Sequence, residues 1–242
     1  MKPSIACAEE APFRLRRFLQ GVLVLLLLTG AGRAVAGEAP AWPNDFVARL
    51  EALALLQSLN AALLSHDSAT LTLDRWCADH RLTAPAHITA ERVQGQDKLP
   101  TAQQRQELGV GAAEPVRYRR VRLRCGTHVL SEADNWYVPS RLTAEMNRQL
   151  DTTDIAFGRA VQALKFRRRT LSAELLWSPL PQGWEMGAPL PDFGAGSLPI
   201  PAELLQHRAL LTLPDGTPFS EVVETYTGEV LGFPEPPRPP SP

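Results

Sequence analysis

Between Val116 and Pro139 the chain reads Val-Arg-Tyr-Arg-Arg-Val-Arg-Leu-Arg-Cys-Gly-Thr-His-Val-Leu-Ser-Glu-Ala-Asp-Asn-Trp-Tyr-Val-Pro, and no other stretch limits the fold as tightly. From Arg117 the residues alternate. Arg117, Arg119, Val121, Leu123 and Cys125 share one face, and Tyr118, Arg120, Arg122 and Arg124 share the other. Gly126-Thr127 interrupts the run, and Val129 to Val138 resumes it. Pro139, which has no N–H to give to a ladder, marks the strand end. The pattern predicts two strands and a turn.

The rest of the chain supplies helices and further strands. Asn44 is placed to cap a helix in which Phe46, Leu50, Leu53, Leu56, Leu59 and Leu63 recur at three- and four-residue spacing, ending near His66. Ser68 begins a second helix carrying Leu73, Trp76 and Cys77. Ile88 to Gln94 reads as a short strand, followed by a polar connection with a turn of helix around Ala102 to Leu108. Ser140 is expected to cap a helix with Leu142, Met146 and Leu150 on one face, and a short helix follows from Phe157-Gly158. Phe166 to Trp177 is strand-like. Ser178 to Pro201, dense in proline and glycine, is expected to be a long loop serving as a lid or surface flap, anchored by Trp184 and Phe193. Leu204 to Leu213 and Phe219 to Val230 give closing strands around the Pro214-Asp215-Gly216 turn.

A chain of 242 residues with 44% hydrophobic content suits a single core. Residues 1–36 hold five basic and two acidic residues, which leaves 20 basic against 24 acidic in the remainder. That balance argues against a nucleic-acid partner, whose binding rests on neutralising phosphates. Arginine is still concentrated at Arg117 to Arg124 and at Arg167-Arg168-Arg169. Such runs read either as solvated faces or as carboxylate-recognition sites, to which the guanidinium fork is suited.

Arg14, Arg16 and Arg17, the apolar run from Gly21 to Thr29, and Ala34-Val-Ala36 have the layout of a secretory signal peptide cleaved after Ala36. The apolar run falls short of the ~20 residues a spanning helix needs, so no stable membrane insertion is expected after cleavage. The expected location is periplasmic or secreted. Cys77 and Cys125 would be the cysteines of the mature chain, and each heads a Cys-x-x-His pair, with His80 and His128. A disulfide, two buried thiols and a zinc site are the three readings this leaves open. The five histidines are scattered, with no Gly-x-Ser-x-Gly elbow and no phosphate-cradling glycine loop, so neither serine-hydrolase nor cofactor chemistry finds support.

The central pair, with its arginines, cysteine, glycine turn and closing Val-Pro, resembles the centre of bacterial chorismate pyruvate-lyase and of the related UTRA-like ligand-binding domains of transcription regulators. Three further segments fall in that family's order: Leu71 to His80, Asp154 to Arg159, and Gly216 to Tyr226. The likeness runs roughly from Ser65 to Leu231. It implies a carboxylate-binding arginine at Arg120, a loop amide at Phe157, and a glutamate at Glu224 beside the ether oxygen of an enolpyruvyl substrate. Local alternation instead groups Arg119 with the apolar face, making it the alternative clamp. One extra residue between Pro218 and Glu224 makes Glu221 a second candidate for the acid.

The expectation is therefore a single α+β domain, chorismate lyase-like, with a largely antiparallel sheet of about six strands and helices packed on one face. Signal peptide, domain and proline-rich tail would occupy residues 1–36, 37–232 and 233–242, the tail disordered or extended. Two functions are expected from the resemblance: a lyase releasing pyruvate from chorismate to give 4-hydroxybenzoate, with Arg120 and Glu224 catalytic, or a non-catalytic domain binding a small aromatic carboxylate. Neither a metal nor a cofactor is called for.

Overall fold

The computed structural model describes residues 41–238. The signal peptide and its cleavage site, and the last four residues of the tail, lie outside the described residues.

Asp45, not Asn44, starts the first helix: its Oδ1 accepts from Ala48 N at 2.9 Å, and α1 runs Phe46–Ser65. Asn44 instead accepts from the Arg49 guanidinium at 2.7 Å. The leucine spacing of α1 puts Leu56, Leu59 and Leu63 wholly inside, each contributing roughly 2 kcal/mol by removal from water. Ser68 Oγ accepts from Leu71 N and so opens α2 (Ala69–Asp79). There follow β1 (Ile88–Arg92), α3 (Ala102–Leu108), β2 (Arg117–Cys125) and β3 (His128–Tyr137). Ser140 falls in a 3-10 turn, and Thr143, which accepts from Met146 N, caps α4 (Ala144–Thr152). The expected cap was thus one turn too early, because Pro139 favours the tight turn that precedes the helix. The remaining elements are α5 (Phe157–Ala160), β4 (Arg167–Leu175), β5 (Glu203–Thr212) and β6 (Pro218–Thr227).

All six strands form one antiparallel sheet in the order β1-β2-β3-β6-β5-β4. The chain is the α+β domain with a six-stranded antiparallel sheet that its sequence implies. The face carrying Val121, Leu123, Ala133, Val222 and Ala209 packs against α1 and α2 in the main core. On the outer face, Leu108 of α3 joins Trp136, Val138 and Leu210 in a smaller cluster. Elsewhere the outer face of β2 is charged, and Arg120, Arg122 and Arg124 are laced to Glu91 and Glu132.

Cys77 and Cys125 are joined in a disulfide that ties α2 to the end of β2. Its partners separate by 48 residues, so the chain-entropy estimate of its stabilisation is about 4 kcal/mol. The two Cys-x-x-His pairs do not assemble. His80 stacks between Trp76 and Phe233, and His128 Nδ1 lies 2.7 Å from Glu229.

One expectation about loops is corrected. Residues 178–201 do not lie over the sheet as a lid; they strap the start of α1. Trp184 packs edge-on against Phe46, Arg49 sits 4.3 Å over the Phe193 ring and donates to Pro179 O, and Leu198 N donates to Trp42 O. Trp184 and Phe193 are anchors as expected, but of a strap. The described part of the tail is extended yet docked: Phe233 is buried, its carbonyl accepts from Trp42 Nε1 at 2.8 Å, and Arg238 pairs with Asp45.

Candidate functional site

On the helix-covered face, between the sheet and the corner linking α1 to α2, lies a small chamber of about 40 Å³. Arg119, Asn135, Arg168 and Glu224 supply its polar groups from the strands, and Val121, Leu123, Phe166 and Val222 are among its apolar walls. Ser68 and Thr70 at the start of α2, and Phe157 and Gly158 of α5, close the opposite side. Gly158 is required there by space: a Cβ would stand 2.9 Å from Ser68 Oγ and 3.0 Å from Thr70 Oγ1.

Strand register decides which arginine enters. Arg119 pairs with Asn135 and Val121 with Ala133, so Arg119 shares the inner face. It is 5% exposed. Its Nη2 donates to Ile155 O at 3.0 Å, while Nε and Nη1 have no hydrogen-bond partner. Burial, and then the neighbouring Arg92 charge, lower its pKa to about 10, so it stays protonated at neutral pH. Arg120 points the other way. It is held by Glu132 Oε2 at 2.6 Å on the outer face, and no bulge at that point turns it inward. The placement of Arg120 in the pocket is thereby corrected: the alignment with the family was one residue out of step with the alternation.

The glutamates divide likewise. Glu224 faces the chamber, and its Oε2 accepts from Arg168 Nη2 at 2.6 Å and from Tyr226 Oη at 3.1 Å. Glu221 is fully buried on the outer face, where Arg208 Nε donates to it at 2.8 Å and Gln104 of α3 at 3.2 Å. Burial, only partly countered by Arg208, raises its pKa. Glu221 therefore fixes α3 to the sheet and takes no part in the chamber. Of the five residues singled out from sequence, the structure brings Arg119, Phe157 and Glu224 together and leaves Arg120 and Glu221 outside.

Arg168 was not among them. It sits on the edge strand β4 and reaches across β5 to Glu224, with its own backbone N–H bonded to Asp67 Oδ1 at 2.8 Å. Burial works against its charge, but Glu224 more than offsets this and leaves its pKa raised. The available signal was Phe166, two residues earlier in the same strand pattern, which also lines the chamber. Beneath the pair, buried His207 has Nε2 2.9 Å from Asn60 Oδ1. Because that oxygen only accepts, the proton belongs on Nε2, and Nδ1 is left without a partner. Burial, then the Arg168 charge, depress its pKa to about 4. Among the described residues no group of three or more histidine, cysteine, aspartate or glutamate side chains forms a metal site.

The sheet and its arginine-bearing chamber define a single-domain α+β protein with a pocket on the helix-covered face. The chain is 61% identical over 196 residues to the uncharacterized protein y4mC of Sinorhizobium fredii, covering 81% of this chain and 83% of that protein. It belongs to the same family as y4mC. No family model matches. Solved structures similar to it include PhnF from Mycobacterium smegmatis, at 13% identity over 80% of this chain and 90% of that one, with a TM-score of 0.46. The effector domain of PhnF is similar at 12% identity over 67% and 90% of the two chains, TM-score 0.44.

Proposed function

We propose that the protein is an exported binding protein whose chamber takes a small aromatic carboxylate, with Arg119 as the clamp. The observation that carries this reading is the state of Arg119: a charged guanidinium, buried beside an apolar cavity, with two nitrogens unpartnered. Leaving a buried charge so under-bonded is costly, and a carboxylate presented in the plane of the fork would satisfy it. The apolar walls suit a ring. At about 40 Å³ the chamber as it stands has room for about three waters, so a benzoate-sized ligand requires side chains to give way. Phe157, half-buried at the wall, is the one best placed to do so.

Export is supported by the leader pattern and by the Cys77–Cys125 disulfide, which an oxidising compartment maintains. We read the boundaries as a leader to Ala36, a domain from Gly37, and a tail whose first residue, Phe233, is part of the core.

A second reading, the chorismate lyase, has one observation in its favour: Arg119, Phe157 and Glu224 do converge. Against it, Glu224 Oε2 is already held by Arg168 and Tyr226, so that oxygen is occupied by partners within the protein. Calorimetric titration with 4-hydroxybenzoate, run beside an absorbance assay with chorismate, separates the two. Saturable binding without 4-hydroxybenzoate production from chorismate supports the binding protein. Product formation above the spontaneous rate supports the lyase, and neither result would remove both.

A further inference from the structure

The two edges of the sheet are finished differently. On β1 the outward N–H of Ala90 donates to Asp154 O at 2.9 Å, so that edge is covered. β4 forms the opposite edge, where Arg168 N–H turns away from β5 to Asp67 Oδ1 at 2.8 Å. In an antiparallel ladder such outward groups recur at every second residue, and the extra residue at Leu171 shifts the alternation by one. Arg168, Thr170 and Ala173, which stand opposite Leu211, Ala209 and His207, are therefore the outward positions. Beyond Arg168 the outward backbone groups of Thr170 and Ala173 have no partner among the described residues. Unpaired N–H and C=O groups along an edge are a template for another strand.

The free side chains select that strand. Arg167 is paired with Asp67 and Arg168 with Glu224, whereas Arg169 and Glu174 are exposed and have no ion-pair partner among the described residues. An odd number of positions separates Arg169 from Glu174, so a regular strand would put them on opposite faces. The bulge at Leu171 puts them on one face, opposite Leu210 and Gln206 of β5. A second β4 laid antiparallel along the edge, about a twofold axis normal to the sheet, then sets Arg169 opposite Glu174 of the other copy, and the twofold repeats the contact. In the same register Thr170 faces Ala173 of the other copy, so the outward backbone groups of both strands meet.

We propose that the β4 edge is an interface for a second copy of this chain, which joins two sheets into one through paired β4 strands and reciprocal Arg169–Glu174 contacts. One register satisfies both the charges and the backbone direction. The pairing is independent of what the chamber binds.

The test is sedimentation velocity of the mature chain over a range of concentrations, beside Arg169→Glu, Glu174→Arg and the variant carrying both. The parent is expected to pass from monomer to dimer below about 0.5 mM, as a contact of limited area does. Either single substitution sets like charges face to face twice and should weaken the dimer roughly tenfold or more. The variant carrying both restores opposite charges and should recover it. An equimolar mixture of the two single variants should form a mixed dimer, because every contact in it is again between opposite charges. Both positions are exposed, so melting temperatures should stay near the parent's, which separates lost pairing from lost folding. A parent that is monomeric at every concentration overturns the proposal. So does a dimer that the single substitutions leave intact, or one that fails to return in the doubly substituted chain or in the mixture.

Discussion

Arg168 Nη2 and Glu224 Oε2 stand 2.6 Å apart with the two side chains 3% and 7% exposed, which makes this pair the most deeply enclosed ion pair of the described domain. It joins the edge strand β4 to β6 across β5. Removing one member strands the other, so Glu224→Ala is expected to cost about 3–5 kcal/mol, the range for an uncompensated buried charge. Urea denaturation of the single variants and of Arg168→Met/Glu224→Leu checks this. The double variant should recover a large part of the loss, and single variants that unfold within 1 kcal/mol of the parent would contradict it.

His207 gives a pH dependence of definite sign. The unfolded chain takes up the imidazole proton near pH 6.5, whereas the folded one resists until about pH 4. Between those values the unfolded state binds more protons, so stability falls as pH is lowered through that window and is fully present above it. The contribution is on the order of 3 kcal/mol. Glu221 acts in the opposite sense, since its raised pKa removes stability as pH rises from 4.5. Stability curves of the parent and His207→Asn from pH 4 to 8 should therefore converge at the acid end. Parallel curves would mean that His207 titrates alike in both states.

The disulfide holds α2, whose first residues line the chamber, against β2, which carries Arg119. Cys77→Ala/Cys125→Ala should lower stability by about 2–4 kcal/mol. Reductant under partly denaturing conditions should have the same effect on the parent and none on the variant. Thiol counting before and after reduction reports whether the bond is present at all.

Gly158 tests the chamber wall. In Gly158→Ala the new methyl group presses on Ser68 and Thr70, and Ser68 is the cap of α2. We expect a loss of about 1 kcal/mol, as for a disturbed cap, with a lower melting temperature and at least tenfold weaker uptake of 4-hydroxybenzoate. Unchanged binding would place the ligand elsewhere.

Much of this architecture is legible in the residues themselves. The leucine spacing of α1, the hairpin around Gly126-Thr127 and the Pro-Asp-Gly turn are set by local physics, and they appear where expected. Alternation alone also puts Arg119 on the apolar face, and it was the comparison with a distant pattern that pointed to Arg120. What local reasoning could not reach is what depends on distant partners. Arg168 looks like one of three solvated arginines until β6 brings Glu224 within reach over β5. Residues 178–201 look like a lid because a long Pro-rich loop is often one, yet Asn44, Phe46 and Arg49, over a hundred residues earlier, hold them away from the chamber. Glu221 and Glu224 are equally acidic, and only register tells the one that clamps α3 from the one that faces the cavity.

The most direct test of the chamber reading is calorimetric titration of three proteins, the parent, Arg119→Ala and Arg120→Ala, with 4-hydroxybenzoate. The inward guanidinium predicts that Arg119→Ala weakens binding by about 2–5 kcal/mol, the range for truncating one partner of a buried charge pair. Arg120→Ala, which breaks only an outer-face ion pair with Glu132, should change it by no more than ~1 kcal/mol. The reverse order, or a parent that takes up no 4-hydroxybenzoate, would contradict the account.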